Sequence, residues 1–233
     1  MLQEARRRAL VDILDLLQDK LKDDPPTMIE SVTREVGRSP FVVLISCLLS
    51  LRARDAAVLP VAVELLKSAR TPEDLLGIPV LQLQKLLRPI GFFVKKAAVV
   101  REVARILLNQ FEGLVPSDRV QLLGLPGVGP KTTSLVLSEA FEIPAICVDT
   151  HVARLSRLFG LVDSSEPVCI ENELMEICAR ERWREINSLF VRYGQGWCFF
   201  WSKGCSSCKD ASLCYVLQGR VHAWSHALSS VCK

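Results

Sequence analysis

The sequence predicts an all-α fold. Apolar residues recur at helical spacing over residues 10–21, again over 99–107, and once more over 174–178. We find no stretch with the regular alternation of apolar and polar residues that a half-buried strand requires. Helix-start signals punctuate the chain between the periodic stretches. A set of helices joined by short loops is therefore expected.

Three of these signals place a proline or an acid where the first turn of a helix tolerates it. They are Thr71-Pro72-Glu73-Asp74, Ile78-Pro79 and Val115-Pro116-Ser117-Asp118. Pro60 lies inside the helical pattern of residues 55–67, where a proline ring removes one helical hydrogen bond. We expect that proline to kink or split the helix.

The composition is that of a globular chain without a membrane-spanning segment. Of its 233 residues, 49% are hydrophobic, enough for one large domain or two small ones that share an interface. The longest apolar run, residues 41–51, is too short to cross a bilayer. Residues 1–20 interleave charges with leucines and lack the apolar core of a secretory signal. A soluble protein without a membrane partner is expected.

The nine cysteines and the net charge of +3 bear on the compartment and on the binding partners of the protein. A disulfide framework requires an oxidising compartment, and no exporting signal is visible, so a reducing cytosolic or nuclear setting is favoured. A pI near 8.4 permits nucleic-acid binding. It falls below the strongly basic value that would indicate such binding by itself.

A glycine-rich turn at Leu125-Pro126-Gly127-Val128-Gly129-Pro130-Lys131-Thr132 precedes an apolar helical run. Glycine permits positive φ and close approach of another backbone, and Pro130 suits the first helical position. Such a turn directs free helix-start amides outward, which makes a site suited to a phosphate. The same turn can equally serve as a plain connector between packed helices.

Four cysteines near the C-terminus are spaced with six, two and five intervening residues: Cys198, Cys205, Cys208 and Cys214. Four thiolates satisfy either a tetrahedral zinc ion or a cubane of four irons and four sulfides, and spacing alone does not separate the two. Disulfides are the third reading, which the reducing setting disfavours. The other cysteines, at positions 47, 147, 169, 178 and 232, have no such spacing and are interpreted as small core residues or bystanders.

Together, the glycine-rich turn, the later Val148-Asp149-Thr150-His151-Val152 segment and the cysteine spacing resemble the endonuclease III family of helix-hairpin-helix iron–sulfur DNA glycosylase/AP lyases. The resemblance runs from about residue 39 to 217. It implies two helical halves that flank a DNA-binding cleft. One is a six-helix barrel with the hairpin, residues 33–143, and the other is a cluster half built from residues 1–32 and 144–233.

The resemblance also assigns the catalytic residues. Lys131 stands at the position of the lysine that attacks the sugar, and Asp149 at that of the assisting carboxylate. An amine that displaces a damaged base forms a Schiff base and permits β-elimination, while a carboxylate stabilises positive charge on the sugar. The plainer readings are a solvated lysine at a helix start and an aspartate that only caps a helix. His151 is interpreted as a structural residue beside the site.

In the family the hairpin, here Gly127, Val128 and Gly129, docks on the DNA backbone, and its carbonyls can hold a monovalent cation. Pro130 stands where a basic residue is common, which removes one expected phosphate contact. The six-two-five spacing implies a [4Fe-4S] cluster on the four cysteines. Lys203, in the loop that the cluster would hold, is expected to meet a phosphate.

Two positions that fill the gap left by a flipped nucleotide in endonuclease III depart from the family. Arg52 replaces a glutamine and Phe92 replaces a leucine. An arginine suits guanine edges and an aromatic ring can stack on a base. The alternatives are a solvated Arg52 and a core Phe92. Lys95, Lys96 and Arg101 follow on one helix and either track phosphates or form an ordinary solvated face.

The resulting prediction is a bifunctional DNA glycosylase/AP lyase of base excision repair that acts on oxidised pyrimidines. Its partner is double-stranded DNA with damaged bases or abasic sites, and it is expected to act as a monomer. We expect it in the cytoplasm, with the nucleoid, if the source is prokaryotic, and in the nucleus if it is eukaryotic. The alternative is a non-catalytic helical DNA-binding protein with a structural zinc site.

Overall fold

The computed structural model describes residues 2–198 together with Leu213, Val216, Leu217, Gly219 and Arg220. Its helices are α1 (Leu2–Lys20), α2 (Met28–Val36), α3 (Pro40–Ser50), α4 (Asp55–Ser68), α5 (Pro72–Gly77), α6 (Val80–Leu87), α7 (Phe93–Phe111), α8 (Arg119–Leu123), α9 (Pro130–Phe141), α10 (Thr150–Leu158), α11 (Pro167–Ile177) and α12 (Trp183–Gly196). A 3₁₀ turn, Arg180–Arg182, precedes α12. No strand occurs among the described residues, and the predicted all-α fold is confirmed.

The chain divides into two compact units. The central unit is Thr27–Ile143 and contains α2 to α9. The terminal unit combines Met1–Pro26 with the chain from Pro144 onwards and contains α1 and α10 to α12. The division falls before α2 because that helix packs against α3 and α4. Residue 33, the expected boundary, lies within α2.

The central unit is organised around α3. Every residue from Phe41 to Leu49 is buried, and α3 packs against α2, α4, α7 and α9. Ser39 caps the helix by accepting a hydrogen bond from the Val42 amide at 3.1 Å, and Pro40 occupies its first turn. The long apolar run is thus a core helix. Among the described residues, no helix has both the length and the hydropathy needed to cross a membrane.

The predicted helix starts occur where the sequence placed them. Thr71 forms a reciprocal capping box with Asp74 at the start of α5. The Asp118 side chain accepts a hydrogen bond from the Gln121 amide at 2.9 Å and caps α8. In contrast to the expectation of a split, α4 continues through Pro60.

The terminal unit has a core of its own. Helix α1 packs against α11 and α12, and α10 packs against α12. Large buried rings fill the interior, where Phe159 and Phe190 meet edge to face with centroids 5.8 Å apart and Tyr193 lies beside them. Residues from both ends of the chain therefore build one core, which fixes the start of α10 and the Cys198 segment.

Candidate active site and DNA-binding surface

A tight turn connects α8 to α9 at the glycine-rich motif. The Leu125 carbonyl accepts a hydrogen bond from the Val128 amide at 3.1 Å. Pro126 takes the second position of this turn, and Gly127 takes the third with φ of 77°. Proline followed by a residue of positive φ is the pattern of a type II β-turn. Helix α9 then begins at Pro130, the first helical position, as predicted.

The two glycines of the turn differ in backbone conformation and in the space available for a side chain. A Cβ on Gly127 would lie 3.1 Å from Val99 Cγ1 and 3.4 Å from Leu48 Cδ2, and its φ is positive. Gly129 has φ of −106°, and a Cβ there would meet nothing within 4 Å. The turn therefore needs Gly127 to fold, whereas Gly129 leaves an open face beside the start of α9. The Val128 side chain is buried, so only its backbone is available at that face.

Lys131 lies in the first turn of α9 and its side chain is exposed. It is close enough to α3 to act electrostatically on the buried thiol of Cys47. Burial raises the pKa of Cys47 to about 12, the Lys131 ammonium opposes that rise, and Glu139 adds to it. Cys47 is therefore a neutral thiol at physiological pH. The thiol adds no charge beside the lysine.

Asp149 precedes α10 and caps it. Its Oδ1 accepts hydrogen bonds from the His151 amide at 2.9 Å and from the Val152 amide at 2.8 Å. Both bonds go to the same oxygen, and Oδ2 has no hydrogen-bond partner among the described residues. The cap expected from the sequence is thus present. It occupies one carboxylate oxygen and leaves the other available for a second role.

The start of α10 fits closely against α12 at Gly194. A Cβ on Gly194 would overlap Nδ1 of His151 and lie 3.0 Å from Nη2 of Arg154. Arg154 also donates hydrogen bonds to the carbonyls of Gly194 at 3.4 Å and Cys198 at 3.2 Å. His151 is therefore packed between helices. The absence of a side chain on Gly194 is what admits both residues.

Arg52 and Phe92 lie in two separate turns of the central unit and share an unusual backbone conformation. Arg52 has φ of 52° and Phe92 has φ of 60°, values that residues with a Cβ rarely adopt and that strain the backbone. Phe92 is 62% exposed, so the reading of a core ring is wrong. The Arg52 side chain is also exposed and forms no hydrogen bond or ion pair with any described residue.

The two turns and the glycine-rich hairpin meet at one cavity of about 430 Å³ within the central unit. Its lining consists of Leu48, Leu51, Arg52, Phe92, Lys95, Lys96, Val99, Val100 and Gly127. Five of these residues are aliphatic or aromatic, three are basic and none is acidic. The structure thus brings Arg52, Phe92 and Gly127 together around one apolar, positively charged depression.

Two of the basic residues on α7 are held by backbone carbonyls. Lys96 is 7% exposed, and its ammonium donates to the Leu49 carbonyl at 2.7 Å. Arg101 donates to the carbonyls of Leu76 at 3.2 Å and Ile78 at 2.6 Å. An ordinary solvated face is therefore the wrong description of these two side chains. No local sequence signal indicates these bonds, because each joins residues more than twenty positions apart.

Of the four spaced cysteines, Cys198 lies within the described residues. It is 2% exposed, and its Sγ accepts a hydrogen bond from Nη1 of Arg154 at 3.0 Å. Outside the described residues lie Cys205, Cys208, Cys214 and the loop residue Lys203. Within the described part of the chain, no three His, Cys, Asp or Glu side chains are grouped as metal ligands would be.

The remaining cysteines that the structure describes take no part in a disulfide. Cys47, Cys147 and Cys178 are buried, whereas Cys169 is exposed. Burial raises the pKa of Cys178 to about 12, with Arg182 opposing the rise. Three of them are thus small core residues. Cys232 lies outside the described residues.

Arg154 is a further residue of the terminal unit that the sequence interpretation missed. Its guanidinium contacts Cys198 through both Sγ and the carbonyl. The signal was its position on α10, three residues after His151 and so on nearly the same helix face as the start of that helix. Lys131 and Asp149 lie in different units.

Comparison with known proteins places this architecture in a family. Residues 45–180 match the family described as "HhH-GPD superfamily base excision DNA repair protein". The chain is 35% identical over 186 residues to Endonuclease III of Bacillus subtilis, covering 79% of this chain and 85% of that protein. It is 34% identical over 176 residues to Endonuclease III of Escherichia coli, covering 76% and 83%.

Solved structures agree with the sequence relatives. A non-covalent Endonuclease III–DNA complex superimposes with a TM-score of 0.77 at 33% identity, covering 93% of this chain and 98% of that one. A trapped Endonuclease III–DNA covalent intermediate, an estranged-adenine complex, gives a TM-score of 0.74 at 34% identity, covering 87% and 92%. The chain therefore belongs to the HhH-GPD superfamily of base excision DNA repair proteins and is a DNA-binding glycosylase/AP lyase related to endonuclease III.

Proposed function

We propose that the chain removes oxidised pyrimidines from double-stranded DNA and cleaves the resulting abasic site through a Schiff base on Lys131. The observation that carries the proposal is the position of this lysine, exposed in the first turn of α9 directly after the open face at Gly129. The turn docks the DNA backbone, since uncapped amides at a helix start attract phosphate. The lysine then stands next to the sugar of the docked strand.

The reaction begins with a neutral Lys131 amine. The amine attacks deoxyribose C1′, the N-glycosidic bond breaks, and its electron pair leaves with the base, which takes up a proton. Opening of the sugar ring gives the Schiff base between Nζ and C1′. Loss of a C2′ proton then expels the 3′ phosphate by β-elimination, and water releases the lysine. Because Lys131 is exposed in the protein alone, desolvation of the amine comes from the bound DNA.

Asp149 supplies the carboxylate of the reaction. Its Oδ1 is fixed by the amides of His151 and Val152, which holds the carboxylate in one orientation. Its Oδ2 is the oxygen left to stabilise positive charge on the sugar and to take part in proton transfer. The structural cap therefore positions the chemical group.

We infer that Cys198, Cys205, Cys208 and Cys214 hold a [4Fe-4S] cluster. The described part of the site fits this group, because the Cys198 sulfur is buried and receives a hydrogen bond from a guanidinium, which favours a thiolate ligand. The cluster would order the loop that contains Lys203 and present that lysine to a phosphate. A monovalent cation on the hairpin carbonyls rests on the resemblance alone.

Arg52 and Phe92 are proposed to fill the gap left by the flipped nucleotide. Their strained turns, their exposure and their shared cavity support this role, since strain at exposed bulky residues is typical of functional sites. The Phe92 ring would stack on a base. The Arg52 fork would hydrogen-bond the acceptors of an orphaned guanine, a contact worth roughly 1–3 kcal/mol of discrimination.

Borohydride trapping tests the covalent step. The wild type, Lys131→Ala and the control Lys85→Ala, which removes an exposed lysine of α6, are mixed with a duplex that contains an oxidised pyrimidine. The wild type and the control should form a borohydride-stable protein–DNA adduct and cleave the strand. Lys131→Ala should do neither while still binding the duplex. Full trapping by Lys131→Ala would refute the assignment of the nucleophile.

Opposite-base preference tests Arg52 separately. Single-turnover excision of one lesion is measured opposite guanine and opposite adenine. The rate opposite guanine divided by the rate opposite adenine is called the opposite-base ratio. It should exceed one in the wild type, and Arg52→Gln should lower it. An equal ratio in both proteins would leave Arg52 as a phosphate contact or a solvated side chain.

Bound iron and sulfide, measured on the same sample, distinguish the cluster from the alternative structural zinc.

We propose that the protein acts as a monomer in the compartment that holds the genome. A single chain contains both units and the complete set of expected site residues. Light scattering of the free protein and of its complex with a short duplex would measure one copy of the chain in each. Two copies per duplex would contradict the monomer.

A further inference from the structure

The C-terminal end of α3 lacks the usual means of satisfying its carbonyl groups. Its last turn contains no basic residue, and no glycine follows it. Two carbonyls find local partners, because Ser50 Oγ donates to Cys47 O at 2.8 Å and the Ala53 amide donates to Ser50 O at 3.1 Å. The carbonyl of Leu49 instead accepts a hydrogen bond from Lys96, on a different helix.

Lys96 is an unusual choice for this partner. Lys96 is a buried residue, and among the described residues no carboxylate is paired with its ammonium. Removing such a cation from water is unfavourable unless specific bonds compensate for it. Burial accordingly lowers the pKa of Lys96. A neutral side chain would fill the same space at a lower desolvation cost. The hydrogen bond to the end of α3 is therefore the feature that explains a lysine at this position.

The same residue is also tied to the other turn. The backbone amide of Lys96 donates to the Phe92 carbonyl at 2.9 Å, which closes the first turn of α7 after the strained residue. Its side chain reaches the carbonyl of Leu49, three residues before Arg52. One residue thus connects the turn that carries Phe92 to the turn that carries Arg52.

We propose that Lys96 is a positioning residue that sets the spacing between Arg52 and Phe92 and thereby determines how the base opposite the lesion is read. The proposal rests on the gap-filling role of these two side chains given above. Lys96 itself makes no contact with the base. Without its tie, the turn after α3 is free to shift relative to the start of α7, and Arg52 loses the fixed geometry that a bidentate contact needs.

The test uses the cluster-loaded full chain and the opposite-base ratio. Lys96→Met removes the donor and keeps an unbranched apolar side chain. Lys85→Met is the matched control, because Lys85 is an exposed lysine of α6 that does not line the cavity and has no bond to α3. Lys96→Met should lower the ratio by about threefold or more, which is the range of coupling between residues in one network. Lys85→Met should leave the ratio unchanged.

A double variant separates positioning from general damage. In the Arg52→Gln background, Lys96→Met should change the ratio no further, since the reader it acts through has gone. A further fall of the same size, or an equal fall in Lys85→Met, would overturn the proposal. If Lys96→Met does not fold, Lys96→Leu replaces it, since leucine also lacks a donor for the Leu49 carbonyl.

Hydrogen exchange of the free protein distinguishes failure of this inference from failure of the proposed function. The Ala53 amide, which is bonded to Ser50 O, should exchange about tenfold faster in Lys96→Met than in the wild type. If Lys96→Met exchanges faster but Arg52→Gln leaves the opposite-base ratio unchanged, Lys96 does hold the turn, and Arg52 does not read the opposite base. Unchanged exchange would reject the tie even in a fully active enzyme.

Discussion

The two glycines of the hairpin should respond in opposite ways to the same substitution. Gly127→Ala places a methyl group 3.1 Å from Val99 Cγ1 on a backbone of positive φ. Gly129→Ala places it in open space on a backbone of φ −106°, which alanine adopts freely. The first change should therefore affect stability, and the second should affect only what docks on the surface.

The magnitudes follow from the geometry. A residue with a Cβ in the left-handed region costs about 1–2 kcal/mol, and the tight contact with Val99 adds to it, so Gly127→Ala should lower the free energy of unfolding by about 1–3 kcal/mol. Gly129→Ala should leave it unchanged or raise it by up to about 1 kcal/mol, because alanine restricts the unfolded chain. The methyl group of Gly129→Ala would stand on the open face where a phosphate is proposed to dock. If it displaces the phosphate from one backbone amide, DNA binding should weaken by about tenfold or more.

Denaturant unfolding and equilibrium binding to a duplex with an abasic-site analogue measure both effects on the same preparations. The binding titration is run at two salt concentrations, because phosphate contacts give a salt-dependent affinity. Wild-type affinity in Gly129→Ala would refute docking of the DNA backbone at this turn. Wild-type stability in Gly127→Ala would refute the argument from positive φ and the Val99 contact.

Three further predictions concern the terminal unit. Asp149→Asn should slow base removal strongly at unchanged stability, whereas Asp149→Ala should lose both the rate and about 1 kcal/mol of stability, because asparagine caps helices and alanine does not. An unchanged single-turnover rate in Asp149→Asn would make the residue only a cap. Cys205→Ser should remove the visible absorption of the cluster, and four irons retained per chain would contradict that ligand. Gly194→Ala should destabilise the protein by about 1–3 kcal/mol by forcing His151 and Arg154 aside; a wild-type melting temperature would show that α12 shifts to admit the methyl group.

Local chemistry explains the parts of the fold that the sequence predicts well. Thr71 and Asp118 lie directly before helices whose amides they cap, and Pro130 begins α9. In each case the signal and its effect lie within four residues of each other. The same holds for the Asp149 cap, which is the plainer of the two readings that the sequence offers for this residue. The catalytic interpretation of Lys131 needed the family resemblance, since a lysine at a helix start is common in any protein.

Long-range contacts explain what the sequence could not predict. The bond from Lys96 to Leu49 spans 47 positions, and no periodic pattern distinguishes Lys96 from its exposed neighbour Lys95. Positive φ at Arg52 and Phe92 is equally hidden, because the usual signal for that conformation is glycine. Gly91 directly precedes Phe92, so a reader of the sequence would assign the unusual backbone to the wrong residue.

The strain at Arg52 and Phe92 argues for function. Glu112 and Glu142 also have positive φ, but each ends a helix, whereas Arg52 and Phe92 combine this conformation with exposure and a shared cavity. Each residue in the left-handed region costs about 1–3 kcal/mol, and glycine at either position would avoid it. Burial does not offset that cost, since both side chains are exposed. Lys96, a buried cation, instead holds the two turns in place through its hydrogen bond to the Leu49 carbonyl. An arrangement that is unfavourable for folding at three connected residues is best explained by a ligand that contacts the two exposed ones.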